Sequence, residues 1–276
     1  MFKLINTGYF FADGGAMFGA VPKVSWSRSY PANKRNLCVL AMHAGVIVAD
    51  DGHVIVVDPG VGQDRLMDMP AVYYHFHDTI DICEALRQEG IRPEDVTDVI
   101  FTHLHFDHCG AAVRKMTDGK PEIVFPNALH WVSRAQYENE RNPHPLEAES
   151  FLPEITDTIE KVGLLRLIEG TTVPFESLHM RLYDGHTTGQ IAAYIKNGHS
   201  TVVFSGDIIP LASHIVMERI SAYDLFPTLS YNSKAVILEK AVSDNEILVF
   251  FHDVYTPCAS IKKVRSSFKV NKKIDF

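Results

Sequence analysis

The stretch FTHLHFDHCG, residues 101–110, crowds three histidines and an aspartate into six positions. Its metal-competent side chains are those of His103, His105, Asp107 and His108. In extended backbone, residues two apart share a face, so His103 and His105 can point at one ion. Asp107 and His108 follow where the chain turns and can reach a second point nearby. A single histidine is more often hydrogen-bonded or exposed, but the HxHxDH spacing is rare by chance and predicts metal binding.

Two ions would need further ligands, and the sequence offers three at strand ends or in glycine turns. His186 lies in DGHTTGQ, Asp207 ends VVFSGD, and His252 ends LVFFHD. Each alone is equally well a polar turn or strand-end residue. With the first four they make five imidazoles and two carboxylates, enough for two ions, a bridging carboxylate and an open position for water.

The rest of the chain has the composition of an ordinary folded protein. Its 276 residues are 46% hydrophobic and 22% charged, and no linker or composition break divides them, which predicts one domain over residues 1–276. The net charge of −8 gives no general reason to bind nucleic acid or anionic membranes. The basic run KKVRSSFKVNKK is a nucleic-acid candidate, but a solvated face is the more usual role of such a run.

Leader and cysteine patterns predict a cytoplasmic protein. Asn6, Thr7 and Gly8 interrupt any apolar leader, and no run approaches the roughly 18 apolar residues of a spanning helix. The four cysteines have no CxxC pairing, which is typical of buried thiols in a reducing compartment. Cys109, although it adjoins the histidine cluster, is expected to pack in the core.

Short β-branched runs that end in polar residues or glycine predict buried strands. These runs are NLCVLAMHAGVIVAD, HVIVVDPG, DVIFTH, STVVFSGD and EILVFFHD. Between them, DTIDICEALRQEG predicts a helix capped by Asp78 or Thr79 and stopped at Gly90, and NALHWVSRAQYENER predicts a second helix. RNPHPLEAESFLPE predicts a long loop, either at the border of a pocket or simply on the surface. The alternation predicts a layered α/β fold.

These motifs together resemble the metallo-β-lactamase superfamily over nearly the whole chain. VDPG, THLHFDH, GHTTG, SGD and a late strand-end histidine follow the order and rough spacing of that superfamily. The resemblance implies a four-layer αββα sandwich with the metals in a cleft along one edge of two facing sheets.

The same likeness implies a role for each candidate ligand. Two ions are expected, the first held by His103, His105 and His186, the second by Asp107, His108 and His252, with Asp207 between them. Two Zn²⁺ per chain are implied, although nitrogen and oxygen ligands also accept Mn, Fe or Co. Asp58 of VDPG is expected to orient a ligand histidine, the alternative being a turn aspartate before Pro59 and Gly60.

Individual residues indicate which branch of the superfamily the chain resembles. His105 stands where the diiron flavoproteins of the superfamily carry glutamate, which favours zinc-type hydrolysis. Asp207 and His252 resemble the lactonase, glyoxalase II and phosphodiesterase branches, and the segments DGGAMFGAVPK, GDIIPLASHI and AYDLFP resemble the lactonase-like metallohydrolases. One departure is that the lactonase tyrosine three residues beyond the bridging aspartate is replaced by Pro210.

The expected function is hydrolysis of a lactone or other carboxylic ester by a dinuclear metal centre, similar to N-acyl homoserine lactonases. Asp107 is expected to pass a proton to the leaving alkoxide. The alternatives are a phosphodiester or phosphotriester hydrolase of the same fold, or a metal-dependent binding protein without turnover. The expected partner is a small ester or lactone, not nucleic acid or membrane, and formation of a homodimer is left open.

Four further residues are candidates for the substrate pocket. Met17 and Phe18 lie in a glycine-rich segment and either cap an apolar pocket or anchor in the core. His214 either contacts a substrate oxygen or is a hydrogen-bonded surface histidine. Asp224 either supports the site or caps a helix or turn.

Overall fold

The computed structural model describes residues 1–67, 73–116 and 120–275. Its strands are β1 (Phe2–Asp13), β2 (Leu37–Val48), β3 (Val54–Val57), β4 (Asp98–Ile100), β5 (Val113–Lys115), β6 (Pro121–Ile123), β7 (Leu129–Ser133), β8 (Leu165–Ile168), β9 (Thr172–Phe175), β10 (Leu178–Tyr183), β11 (Gln190–Asn197), β12 (Ser200–Phe204), β13 (Ile247–Val249), β14 (Cys258–Val264) and β15 (Ser267–Lys273). Its helices are α1 (Gly14–Phe18), α2 (Lys23–Trp26), α3 (Ile82–Gln88), α4 (Phe106–Cys109), α5 (Arg134–Arg141), α6 (Pro153–Lys161) and α7 (Pro227–Ser243).

Two sheets pack face to face at the centre of the molecule. The first has the strand order β1-β2-β3-β4-β7-β8, and the second has the order β15-β14-β13-β12-β11-β10-β9. The apolar residues between them include Ile47, Ile55 and Val57 from the first sheet and Met180, Ile191 and Val202 from the second. The sheets approach so closely at Gly45 that a Cβ there would lie 2.1 Å from the Phe204 ring.

Helices cover the outer face of each sheet. Ile155 and Ile159 of α6 pack with Leu86 of α3 against the first sheet. Ile237 and Leu238 of α7 pack against the second. Burial of each such side chain stabilises the fold by about 1.5–3 kcal/mol. The layers therefore run helix, sheet, sheet, helix, and the predicted αββα sandwich is confirmed.

Parallel pairing gathers several strand ends at one edge. β3, β4, β7 and β8 are parallel neighbours in the first sheet, and β12 and β13 are parallel in the second. The carboxyl ends of parallel neighbours lie at the same edge of a sheet. Asp58 follows β3, the HxHxDH segment follows β4, Asp207 follows β12 and His252 follows β13. This edge therefore assembles the candidate site.

Each of the five predicted strand runs contains a strand, but both helix predictions need correction. The second predicted helix was wrong in its first half, because Leu129–Ser133 is strand β7, paired between β4 and β8, and only α5 is helical. The cap of α3 is Asp81, whose side chain accepts from the Cys83 and Glu84 amides, and neither Asp78 nor Thr79 caps it. Asp78 instead has a positive φ of 48°.

Within the described ranges, none of the helices has both the length and the apolar character needed to cross a bilayer. All four cysteines fall in those ranges and are buried free thiols. Cys109 packs in the core behind the first sheet, as expected. The basic run near the end of the chain forms the β14–β15 hairpin.

Candidate metal centre and cavity

The HxHxDH segment leaves the first sheet as a loop and then forms the short helix α4. β4 ends at Ile100, so His103 and His105 lie beyond regular strand, yet both are buried and their ring centroids are 4.5 Å apart. The His105 carbonyl accepts from the His108 and Cys109 amides, which closes the turn. The predicted convergence of His103 and His105 therefore occurs, but through a loop and not through a strand face.

Three histidines from both sheets form the first group. The ligand atoms of His103, His105 and His186 all lie within 4.8 Å of one another. His105 Nδ1 is 3.1 Å from His186 Nε2. His186 comes from the turn between β10 and β11, so the second sheet completes a group that the first sheet begins.

A second group adjoins the first. The ligand atoms of Asp107, His108 and His252 also lie within 4.8 Å of one another. His252 Nε2 is 3.6 Å from Asp107 Oδ2. His252 follows β13 of the second sheet, so this group too is shared between the sheets.

Asp207 lies between the two groups, with one carboxylate oxygen toward each. Its Oδ2 is 3.7 Å from His186 Nε2, while its Oδ1 is 3.4 Å from His108 Nε2 and 3.2 Å from His252 Nε2. The preceding Gly206 has φ +50°, and a Cβ there would lie 2.6 Å from the Thr102 hydroxyl oxygen. Only glycine allows the Asp207 turn to pack this tightly against the histidine loop.

The ring nitrogens that point away from the centre are each held by a specific partner. Three outer nitrogens contact carboxylates: His108 contacts Asp58 (2.9 Å), His186 contacts Asp224 (3.1 Å) and His105 contacts Glu147 (3.4 Å). The outer nitrogen of His252 contacts the Ala41 carbonyl (2.8 Å), and that of His103 contacts the Thr102 hydroxyl (3.0 Å). A carboxylate or carbonyl only accepts, so the outer nitrogen carries the proton in four of the five rings. The inner nitrogens are thereby the ones that face a metal, which would displace a proton from any ring that is doubly protonated.

Asp58 has a strained backbone that its hydrogen bonds maintain. Its φ is +48°, uncommon for a non-glycine residue. Its carboxylate accepts from the Thr102 amide at 2.8 Å and from the Thr102 hydroxyl at 2.6 Å, besides the His108 ring. The structure thus places the Asp58 carboxylate against the His108 ring, and its role in orienting a metal ligand stays a prediction.

Divalent metal ions fit this donor set. His103 Nε2, His108 Nε2 and Asp207 Oδ1 are buried, and within the described part of the chain they have no hydrogen-bond partner. Leaving such an atom unsatisfied costs about 1–3 kcal/mol. Coordination would satisfy all three, and imidazole and carboxylate are ligands that zinc and related ions accept.

Burial and the neighbouring charges shift the pKa values of the candidate ligands in different directions. Burial lowers the pKa of His103 well below its usual value, and the neighbouring histidines add to this effect. Burial also acts to lower the pKa of His108, but Asp107 and other carboxylates outweigh it and raise that pKa well above its usual value. Burial acts to raise the pKa of Asp207, but His252 and His108 hold it well below the usual range. A metal would therefore bind an Asp207 carboxylate that is already ionised, and it would displace a proton from His108.

A cavity of about 190 Å³ opens onto these groups. His105, Asp107, His186, Asp207 and His252 form its polar end. The remaining wall is mainly apolar or aromatic and includes Phe10, Ala12, Met17, Leu40, Tyr74, Phe106, Leu146, Ala222, Tyr223 and Leu225. The Tyr74 and Tyr223 phenols are close enough for each to affect the pKa of the other. The cavity therefore combines a metal-competent end with an apolar wall that carries two phenols.

Two of the four pocket candidates lie elsewhere. Phe18 is fully buried and stacks on Trp26 at 4.7 Å, so it belongs to the core and not to the cavity wall. His214 is also buried, stacks on Phe18 at 5.0 Å and donates from Nε2 to the Met17 carbonyl at 2.8 Å. Neither a substrate contact nor a surface position describes His214. Met17 does line the cavity.

Asp224 lines the cavity as well, and its carboxylate holds the His186 ring. Sequence reasoning did not single out Glu147, Tyr74, Tyr223 or Thr102. The loop-like segment that contains Glu147 was a candidate pocket border, and the structure places Leu146, Glu147 and Ser150 there. No motif marks Tyr74, because its contact with the cavity depends on long-range packing that short sequence patterns do not encode.

The family model of the metallo-β-lactamase superfamily matches residues 41–252. Among curated relatives, N-acyl homoserine lactonase AiiA of Bacillus thuringiensis subsp. kurstaki is 23% identical over 173 residues, which cover 63% of this chain and 62% of the relative. N-acyl homoserine lactonase AttM of Rhizobium radiobacter is 29% identical over 160 residues, 56% of this chain and 52% of the relative. The chain thus spans about three fifths or less of the length of these relatives.

Solved structures match over almost the full length. A probable metal-dependent hydrolase from Staphylococcus aureus is 25% identical with a TM-score of 0.87, covering 99% of this chain and 98% of that one. AidC, a dizinc quorum-quenching lactonase, is 16% identical with a TM-score of 0.80, covering 100% and 95%. The chain belongs to the metallo-β-lactamase superfamily, as its motifs predict.

Proposed function

We propose that this member of the metallo-β-lactamase superfamily is a dinuclear-metal hydrolase of a lactone or other carboxylic ester with an apolar acyl part. The observation that carries the proposal is the pair of ligand groups joined by Asp207 at the end of an apolar cavity. Zinc is the metal we propose, with His103, His105 and His186 in one site, Asp107, His108 and His252 in the other, and Asp207 shared. The dizinc lactonase among the structural neighbours supports this choice.

Bound metal ions would supply a water of lowered pKa as nucleophile and would polarise the substrate carbonyl. The chain supplies the remaining requirements. The apolar wall excludes water and binds the apolar acyl part, so that the ester group faces the polar end of the cavity. Asp107 lines the cavity, so we assign it the delivery of a proton to the leaving oxygen.

The two phenols of the wall provide neutral donors beside that carboxylate. The largest effect on Tyr74 is burial, which raises its pKa, and Asp107 is close enough to raise it further. Tyr74 therefore stays protonated at neutral pH and can donate to a substrate oxygen near Asp107. At the position of the missing lactonase tyrosine, the Pro210 carbonyl accepts from the His252 amide at 3.0 Å. We propose that Tyr74 and Tyr223 supply the phenol that Pro210 lacks.

The partner that we propose is a small molecule, and the acidic chain supports no role for nucleic acid. The buried free thiols support a reducing compartment such as the cytoplasm.

A substrate panel tests the proposed function. Zinc-loaded protein would be assayed against acylated lactones, linear thioesters, phosphotriesters, β-lactams and single-stranded DNA at physiological salt. We expect turnover of lactones or carboxylic esters that is abolished by chelation and restored by zinc. Preferred turnover of phosphotriesters, binding of DNA, or stable binding of two ions without hydrolysis of any compound would contradict the proposal.

A further inference from the structure

The His105 ring is held by a residue outside the sheet edge that supplies the other site residues. Its Nδ1 faces the first ligand group, 3.1 Å from His186 Nε2, and its Nε2 lies 3.4 Å from Glu147 Oε2. A carboxylate only accepts, so Nε2 is the protonated nitrogen and Nδ1 has the free lone pair. Glu147 thus selects which nitrogen of His105 is available to a metal.

Glu147 is itself fixed by two further hydrogen bonds. Asn139 Nδ2 donates to Oε1 at 2.8 Å, and the Thr187 hydroxyl donates to Oε2 at 2.8 Å. The side chain is buried, and its contacts with His105, Asn139 and Thr187 hold the Glu147 carboxylate in one position.

The same residue connects the metal group to the cavity wall. Leu146, which is 84% exposed, and Ser150 line the cavity on either side of Glu147. Phe151 then returns to His105 through an isolated backbone bridge, with ring centroids 5.2 Å apart. Residues 146–151 are therefore attached to one metal-competent histidine at two points.

We propose that Glu147 is a positioning residue that orients His105 for the first metal and, through it, makes the order of the 146–151 wall depend on metal loading. The inference rests on the proposed metal centre but adds a coupling between metal and substrate wall. His105 Nδ1 would hold the metal, the ring would then keep its Nε2–H toward Glu147, and Glu147 would in turn hold the segment. The carboxylate that holds His108 lacks this second role, since Asp58 follows a core strand and is absent from the cavity lining.

The test compares Glu147→Ala and Glu147→Gln with the control Glu149→Gln, which changes an exposed glutamate of the same segment. Zinc affinity and stoichiometry would be measured by chelator competition, and hydrogen exchange of residues 146–151 would be measured with and without zinc. Loss of such an orienting partner typically weakens metal binding about 10–100-fold. We expect that loss for one of the two ions in Glu147→Ala and a smaller one in Glu147→Gln, with Glu149→Gln unchanged.

We also expect zinc to slow exchange of residues 146–151 in the unaltered protein but much less in Glu147→Ala. Zinc affinity at the unaltered level in both Glu147 variants would overturn the positioning role. Equal zinc-dependent protection in Glu147→Ala and the unaltered protein would overturn the coupling. Since hydrolysis is not a readout, a chain that binds two ions but turns over no substrate would refute the proposed function and leave this inference standing.

Discussion

The metal centre and the cavity wall are adjacent but built in different ways. In the metal centre, every candidate imidazole has its outer nitrogen engaged with a carboxylate, a carbonyl or a hydroxyl. In the wall, contacts are mostly between rings, such as Phe10 with Phe76 at 5.0 Å and Tyr74 with Phe106 at 6.2 Å. Hydrogen bonds fix direction, whereas apolar contacts mainly fill volume.

This difference separates the two tasks of the site. Under the proposed function, the chemistry would depend on atoms held at strand ends of both sheets, where small displacements have large consequences. The choice of substrate would depend on apolar side chains of β1, β2, short helices and loops, where one apolar residue can replace another. Substitutions in the metal centre should therefore abolish activity, and substitutions in the wall should mainly change its magnitude or selectivity.

The largest expected effect is that of Asp207→Ala. The variant removes the carboxylate shared by both ligand groups, so we expect loss of tightly held metal and a fall in kcat/KM of roughly 10³-fold or more, equivalent to about 4 kcal/mol. Metal analysis and kinetics after zinc supplementation measure both. The exposed carboxylate variant Asp157→Ala is the control. Two ions retained at full affinity by Asp207→Ala would show that Asp207 does not join the groups.

Asp107→Asn should separate proton delivery from metal binding. Asparagine keeps an oxygen for the metal but delivers no proton, a contribution typically worth roughly 10²–10⁴ in rate. At equal metal occupancy, we expect most of this loss with alkyl ester or lactone substrates and little with activated phenolic esters. An equal loss on both substrate types would limit Asp107 to a ligand role and would require another proton donor.

Tyr74→Phe examines the polar part of the wall. A lost hydrogen bond to a neutral group costs about 0.5–1.5 kcal/mol, so we expect kcat/KM to fall about three- to tenfold with metal content unchanged. Tyr73→Phe is the matched control, since the adjacent Tyr73 is 79% exposed. If Tyr223 acts through Tyr74, the double variant with Tyr223→Phe should lose little more than Tyr74→Phe alone. Additive losses would refute a coupled pair.

His214→Gln tests the histidine that holds the Met17 carbonyl behind the cavity wall, and its expected effect is on the free energy of unfolding. Burial lowers the pKa of His214 to about 3, so below about pH 6.5 the unfolded chain binds a proton that the folded chain excludes. The contribution of neutral His214 to the free energy of unfolding is fully present above pH 6.5. It falls by about 1.4 kcal/mol per pH unit between the two pKa values. Glutamine keeps a donor for the Met17 carbonyl but does not titrate. Denaturation of metal-free protein between pH 7.5 and 5.5 should therefore show a shallower pH dependence for the variant, and identical slopes would contradict this role.

The convergence of the candidate ligands could be predicted from the sequence better than the wall, for a physical reason. His103 to His108 are close in the chain, and His186, Asp207 and His252 each follow a strand or a glycine turn that pattern alone marks. Their convergence follows from parallel strands ending at one edge. Glu147, Tyr74 and Tyr223 lie outside the strands that end at this edge, and their positions depend on long-range packing that leaves no local pattern.

Two wrong predictions have a similar origin. Leu129–Ser133 has residues compatible with a helix, but pairing between β4 and β8 makes it a strand with His130 and Val132 buried. His214 has the polarity of a substrate contact, but the Trp26–Phe18 stack leaves it in the interior. In both places tertiary packing outweighed local preference.

Residues 2–168 build the first sheet and residues 172–273 build the second, so each sheet comes from one contiguous half of the chain. Because both halves contribute to each ligand group, an ion at either position would be a cross-link between them. Ion binding free energy would then count as folding free energy, increasing with the logarithm of free metal concentration. The lifetime of this protein in a cell would consequently depend on metal supply, independently of any substrate.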